Sequence, residues 1–127
     1  MSAEGDRTLA PEALEPKPVV GAEAFAALDL RVGRVVAVEP FPEARQPAYK
    51  LTVDFGPRLG HLRTSAQVTG YAPEQLVGRD VVGAVNLGVR RIAGFASQFL
   101  VLGGLEPDGR VRLLQPDAPL APGSRVA

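Results

Sequence analysis

Two adjacent arginines, Arg90 and Arg91, are the side chains here best suited to holding another molecule. They lie in Asn86 to Leu102 (NLGVRRIAGFASQFLVL), after an apolar run and a glycine. Ile92, Ala93, Gly94, Phe95 and Ala96 follow as a small apolar loop, and Ser97 and Gln98 lead into a further apolar run. Guanidinium groups beside apolar and amide side chains can take phosphates, stack on bases or hold an extended peptide. The same spacing fits solvated arginines beside a loop that packs on the end of a fold. Ser65-Ala-Gln-Val68 is a second small polar loop.

Reaction chemistry finds no footing. Cysteine is absent, which excludes disulfides, thiolate metal sites and cysteine nucleophiles. The single histidine, His61, falls on an expected edge strand and reads as solvated. No HExxH, GxSxG, P-loop or GxGxxG pattern occurs. Asp29, Glu39 and Glu43 stand near turns, where carboxylates serve structure, and no two carboxylates pair as acid and base. The reading is a binding module, not an enzyme, with no cofactor and no metal.

Composition sets the frame. The 127 residues suffice for one domain, and 46% hydrophobic residues supply a core. Fourteen glycines and twelve prolines favour turns and short strands over long helices. No run nears the ~20 apolar residues that span a bilayer. The start shows no basic segment ahead of an apolar one. Both features, with the missing cysteines, point to the cytoplasm and to no membrane insertion. Net charge is zero, with a mild positive balance after residue 20 that does not by itself mark a nucleic-acid binder. Arginine dominates the cations, lysine occurring only at Lys17 and Lys50; a GC-rich genome would give the same bias.

The elements that must position these residues can be read in order. Residues 1–20, broken by Pro11, Pro16 and Pro18, read as a disordered tail, and residues 21–127 as the domain. Ala22 to Leu28 is rich in helix formers and predicts a short helix. Leu30 to Glu39 predicts a strand whose alternation slips at Gly33-Arg34, a place for a bulge or bend. Tyr49, Leu51, Val53 and Phe55 alternate with Lys50, Thr52 and Asp54, the clearest strand signal present. Gly56-Pro57 reads as a turn, His61 to Ser65 as a third strand and Pro73 to Leu76 as one helical turn. Val81 to Asn86 and Gln98 to Leu102 read as two more strands. Gly103-Gly104 and Pro107-Asp-Gly109 read as turns, Arg110 to Leu114 as a last strand, and the rest as a Pro-rich end. Five strands with a helical turn between the third and fourth predict an all-β OB-fold, a five-stranded, partly open Greek-key barrel. The short N-terminal helix and the extra C-terminal strand lie outside that core. In such a barrel the two polar loops line one groove.

The segments Leu28-Asp-Leu-Arg-Val-Gly-Arg-Val-Val36, Phe41-Pro-Glu-Ala-Arg45, Pro47-Ala-Tyr-Lys-Leu51, Asp54-Phe-Gly56, Ser65-Ala-Gln-Val68, Val85-Asn-Leu87 and Arg90-Arg-Ile-Ala-Gly-Phe95 occur in that order. Together they resemble the EMAP-II-like tRNA-binding domain family, and within it the CsaA group of secretion-linked chaperones. The likeness runs from about Phe25 to Val126. It implies an OB-fold, a homodimer and no enzymatic activity. For the CsaA group it implies binding of unfolded or presecretory polypeptide and of the secretion ATPase SecA; for the wider family, structure-dependent tRNA binding. Asn86, Arg90, Arg91, Gly94 and Ser97 match the family's signature around the binding loop, and Ser65 and Gln67 match its other segment. Ile92 and Phe95 would supply apolar contact to a polypeptide. The sequence departs from the pattern at Gly88 and Val89, where prolines are expected, and at Gln46 and Ala96, where basic residues are expected. Fewer cations weaken a phosphate-binding reading and leave an apolar groove intact, which favours polypeptide. Phe25, Leu28, Val111 and Leu113 are the candidate dimer interface, because barrel edges are commonly covered.

Overall fold

Apolar alternation drives the central pairing. The computed structural model describes residues 9–127, so the start of the expected tail lies outside the described residues. Its strands are β1 (Leu30–Pro40), β2 (Tyr49–Asp54), β3 (His61–Ala66), β4 (Asp80–Ala84), β5 (Arg90–Ile92), β6 (Phe95–Ser97), β7 (Leu100–Val101), β8 (Gly103–Leu105) and β9 (Val111–Leu113). Five of them form one antiparallel sheet of order β3-β2-β1-β4-β7, which curls into a nearly closed barrel of OB type. Two hairpins, β5-β6 and β8-β9, complete the strands. Leu51 and Val53 of β2 turn inward with Val35, Phe55, Leu76, Val81 and Phe99 to make the core. Phe55 and Phe99 meet edge to face, centroids 4.9 Å apart.

The bulge in β1 does not fall where the sequence pattern puts it. The bulge falls at Val36, between the pairs Val35↔Val53 and Ala37↔Thr52, not at Gly33-Arg34. Gly33 serves instead for close approach: a Cβ there would stand 2.5 Å from Val53 Cγ1 and 2.7 Å from Phe55 Cε1.

The barrel closes through side chains. The outer edge of β3 faces the chain entering β7 without a continuous backbone ladder. Gln98 N–H donates to Arg63 C=O (2.7 Å), and Arg63 N–H donates to the Gln98 side-chain oxygen (2.8 Å). Thr64 Oγ1 donates to Phe99 C=O (2.7 Å) and lies 3.0 Å from Ser97 Oγ, which accepts from Ser65 N–H (3.2 Å). The Thr64 hydrogen is committed to Phe99, so Ser97 donates to Thr64.

Several other expectations need correction. Gly56-Pro57 opens a single helical turn, Gly56–Leu59. Gly103-Gly104 is strand β8, paired with β9 as Gly103↔Leu113 and Gly104↔Arg112, and not a turn. The Pro-rich end runs along the first half of β1: Val32 N–H donates to Ser124 C=O, Gly123 N–H to Val32 C=O and Val126 N–H to Leu30 C=O. It takes the place β2 leaves free there, since β1-β2 pairing begins at Arg34. Within the expected tail, Pro11–Ala13 forms one 3-10 turn. The helix at Ala22–Ala26 and the turn at Pro73–Leu76 stand where expected.

Gly33→Ala is expected to lower stability in denaturant unfolding by roughly 1–3 kcal/mol, the usual cost of overpacking. Gly70→Ala, where an added Cβ meets nothing within 4 Å, is the control and should change little.

Candidate functional site

The segment expected to be a loop, Ile92 to Ala96, is the tip of the β5-β6 hairpin. Ala93 (φ 49°) and Gly94 (φ 80°) make its two-residue turn, with both residues left-handed. Hairpin pairing has a direct consequence for the arginines. Successive strand residues face opposite ways, so Arg90 and Ile92 share one face and Arg91 takes the other. Arg91 Nη1 donates back to Gly94 C=O (3.3 Å).

Arg90 and Ile92 turn towards a groove of about 380 Å³ beside β3 and β7. Ser65 and Gln67 line the same groove, as do Ala66 and Val68, so the two predicted segments do meet. Ser65, the end of the expected third strand, and Ala66, expected in the loop after it, both belong to β3. The remaining walls come from Ala44, Arg45, Gln46 and Ala48 of the β1-β2 loop, from Leu100 and Val101 of β7, and from Val111. The floor is thus apolar and the rim carries Arg45 and Arg90, both exposed.

Phe95 is buried and does not line this groove. Its ring meets Phe41 edge on at 5.4 Å. Lys50 Nζ lies 4.8 Å from the Phe41 centroid and 5.2 Å from that of Phe95, and the Arg63 guanidinium 4.9 Å from Phe95. Arg63 also reaches Glu39 at 3.4 Å. This cluster anchors the hairpin to the outer face of β2 and β3. Ser97 is buried in the barrel seam, and Asn86 ties the end of β4 to the N-terminal helix. The Asn86 side chain donates to Ala27 C=O and accepts from Asp29 N–H, both at 2.8 Å. Gly94 shapes the hairpin turn. These residues of the family signature therefore build the site without facing the groove.

Sequence reasoning missed Arg45, Lys50 and Arg63. Lys50 was legible as outward-facing from the β2 alternation, but the aromatic pair it covers brings Phe41 and Phe95 together across distant sequence. Among the described residues Arg45, Lys50, Arg90 and Arg91 make no ion pair, whereas Arg31, Arg34, Arg63, Arg110 and Arg112 do. At the β8-β9 turn the Arg110 amide holds the Asp108 carboxyl below its usual range.

The four residues expected at a dimer interface separate. Phe25 (50% exposed) and Leu28 (42%) lie together beside a depression lined by Arg125, Val126 and Ala127. Val111 lines the groove, and Leu113 (7%) sits in the chain's own core, so Leu113 is not available to a partner. His61 is exposed, and no cluster of potential metal ligands occurs among the described residues. No helix among them is long and apolar enough to cross a membrane.

Comparison with known proteins defines the class. The family model "Putative tRNA binding domain" matches residues 30–125, and the chain belongs to this tRNA-binding domain family. Over 86% of its length it is similar, at 39% identity and a TM-score of 0.82, to the whole of a CsaA chaperone protein from Picrophilus torridus. It is similar over 87%, at 46% identity and the same TM-score, to the whole of the chaperone CsaA from Bacillus anthracis. It is also 33% identical over 113 residues to the methionine–tRNA ligase of Methanosarcina mazei, of which it spans 16%.

Phe95→Ala is expected to cost roughly 3–5 kcal/mol of stability, the range for emptying a packed aromatic site. Chemical denaturation checks this; a loss under 1 kcal/mol would mean the ring is not the hairpin's anchor.

Proposed function

We propose that this chain binds extended, unfolded polypeptide in the groove between β3 and β7, as an export-related chaperone in the cytoplasm, and is not an enzyme. The observation that carries the reading is the site's chemistry: an apolar floor with a cationic rim and no ring free for stacking. Phe41, Phe55, Phe95 and Phe99 are buried. Tyr49 and Tyr71 are half-buried with their hydroxyls engaged, Tyr49 donating to Tyr71 C=O and Tyr71 accepting from Leu113 N–H. Phe25, the remaining aromatic, lies in the separate Phe25–Leu28 patch. Single-stranded nucleic acid is commonly held by bases stacked on exposed aromatics, and this face offers none. The likeness to two CsaA chaperones, over the whole of those chains, supports the same reading. SecA, implied by that likeness, is the further partner consistent with it.

The second reading is structure-dependent tRNA binding through phosphates, alone or as an accessory to a synthetase. The family supports it, and so do Arg45, Lys50, Arg90 and Arg91, which make no ion pair among the described residues. Fluorescence anisotropy of labelled bulk tRNA and of a labelled unfolded polypeptide, across a salt series, separates the two. Four phosphate contacts per chain set a slope of log K against log salt of roughly −3 to −4 for tRNA, against a shallow slope for polypeptide. Arg90→Glu is expected to weaken polypeptide several-fold. Arg91→Glu, on the far face of the hairpin, should weaken tRNA alone. Polypeptide binding indifferent to Arg90→Glu, or absent at physiological salt, overturns the first reading.

We also propose a homodimer formed through the Phe25–Leu28 patch. Half-exposed apolar side chains on a short helix and just past its end, gathered in one patch, are poorly placed in water. Sedimentation is expected to show a dimer that Phe25→Asp converts to monomer; an unchanged dimer would place the interface elsewhere.

A further inference from the structure

The floor of the groove is not its only recognition feature; its two walls are open sheet edges. Alternate residues of β3 point their backbone groups outward, as the bonds of Arg63 and Ser65 to Gln98 and Ser97 demonstrate. By the same alternation Gln67, just past β3, presents its N–H and C=O outward, and among the described residues neither has a hydrogen-bond partner. On the facing wall Leu102 N–H donates to Val82 C=O, so Val101 points its N–H and C=O away from β4, and these too lack partners. The seam that joins the two edges through Thr64, Ser97 and Gln98 ends at Ser65 and Phe99. Beyond that point the edges part, and the gap between them is the groove.

We propose that the polypeptide enters this gap as an added β-strand, its backbone hydrogen-bonded to Gln67 on one side and Val101 on the other. This rests on the polypeptide-binding reading and specifies its mode and sequence class. Main-chain pairing makes recognition tolerant of sequence, because every residue but proline carries the same N–H and C=O. The side chains on the strand's inner face meet Val68, Ile92 and Leu100 and are apolar. Arg45 and Arg90 at the rim, free of ion pairs, select acidic residues beside the apolar ones. An empty gap carries no penalty, since Gln67 is exposed and Val101 half-exposed, and water satisfies their backbone groups.

Amide hydrogen exchange on the full chain, followed by NMR, tests this. With saturating reduced and carboxymethylated lactalbumin as the unfolded chain, the Gln67 and Val101 amides are expected to exchange at least tenfold more slowly. A fluorescein-labelled heptapeptide alternating valine with glutamate supplies the second readout. N-methylation of either of two neighbouring central residues should weaken it about tenfold, the equivalent of one hydrogen bond. Bound polypeptide with neither amide protected, or N-methylation without effect at both positions, overturns strand addition while polypeptide binding stands. Protection of one amide alone overturns the bridging of two edges. Protection that appears without added polypeptide and grows with protein concentration assigns the gap to a second copy of this chain. No binding of either probe overturns this proposal and the polypeptide reading together.

Discussion

The fold depends on a short relay of hydrogen bonds at the barrel's seam. Ser65 N–H donates to Ser97, Ser97 to Thr64, and Thr64 to the carbonyl of Phe99. Thr64, at 1% exposure, and Ser97 are the buried polar side chains among the described residues. Buried hydroxyls are tolerated only when they are paired, and here each pairs with the other and with backbone. The relay therefore does the work that a backbone ladder does elsewhere in the sheet. Gln98 adds two bonds to Arg63, one from its backbone and one to its side chain. A seam made of side chains can stop at a chosen residue, which a regular ladder does less readily. This one stops at Ser65 and Phe99, and the edges diverge where the groove begins.

The β5-β6 hairpin follows from the same placement. β6 delivers Ser97 to the seam, so the hairpin preceding it must stand over the barrel's open side. Its fixing points are Ser97 inside and Phe95 on the outer face, where Phe41, Lys50 and Arg63 surround the ring. Arg90 pairs with Ser97 and Ile92 with Phe95, so all four share the hairpin face that is turned to the barrel and the groove, while Arg91, opposite Ala96, faces away. The adjacent arginines thus have separate tasks, and period-two geometry alone separates them.

The sequence was legible where one face of a strand is buried and the other wet. β2 reads directly, because Leu51 and Val53 are fully buried while Lys50 and Thr52 are not. The helical turn at Pro73 and the five-strand order were legible for similar reasons. The β5-β6 hairpin was not: Ala93 takes φ 49°, a conformation its type disfavours, so Gly94 alone hinted at a turn. Gly103-Gly104 read as a turn because glycine is a weak strand former, yet a Cβ at Gly103 would lie 2.5 Å from Val111 Cγ1 and 2.9 Å from Arg112 C=O. The C-terminal segment pairs with β1 through backbone groups of Gly123, Ser124 and Val126, which side-chain patterns do not reveal. Of the candidate site, Ser65, Gln67, Arg90 and Ile92 meet in the groove. Ser97 and Asn86, from the family signature, and Phe95, expected to supply apolar contact, act instead as seam, tie and anchor, a distinction that only long-range contacts make.

The two ligand classes place different demands on this surface. Phosphate binding grows with the number of cations engaged, and Arg45, Lys50, Arg90 and Arg91 do not all share one face: Arg90 and Arg91 diverge, and Lys50 is drawn onto two aromatic rings. One chain therefore offers a polyanion a dispersed set of contacts, and a second chain would be needed to build a strong field. An extended polypeptide needs only what a single groove contains: an apolar floor, two open edges and a cation at the rim. The polypeptide reading is complete within one chain, while the tRNA reading leans on pairing of chains. That asymmetry, set by where the hairpin's alternation sends each arginine, orders the two readings.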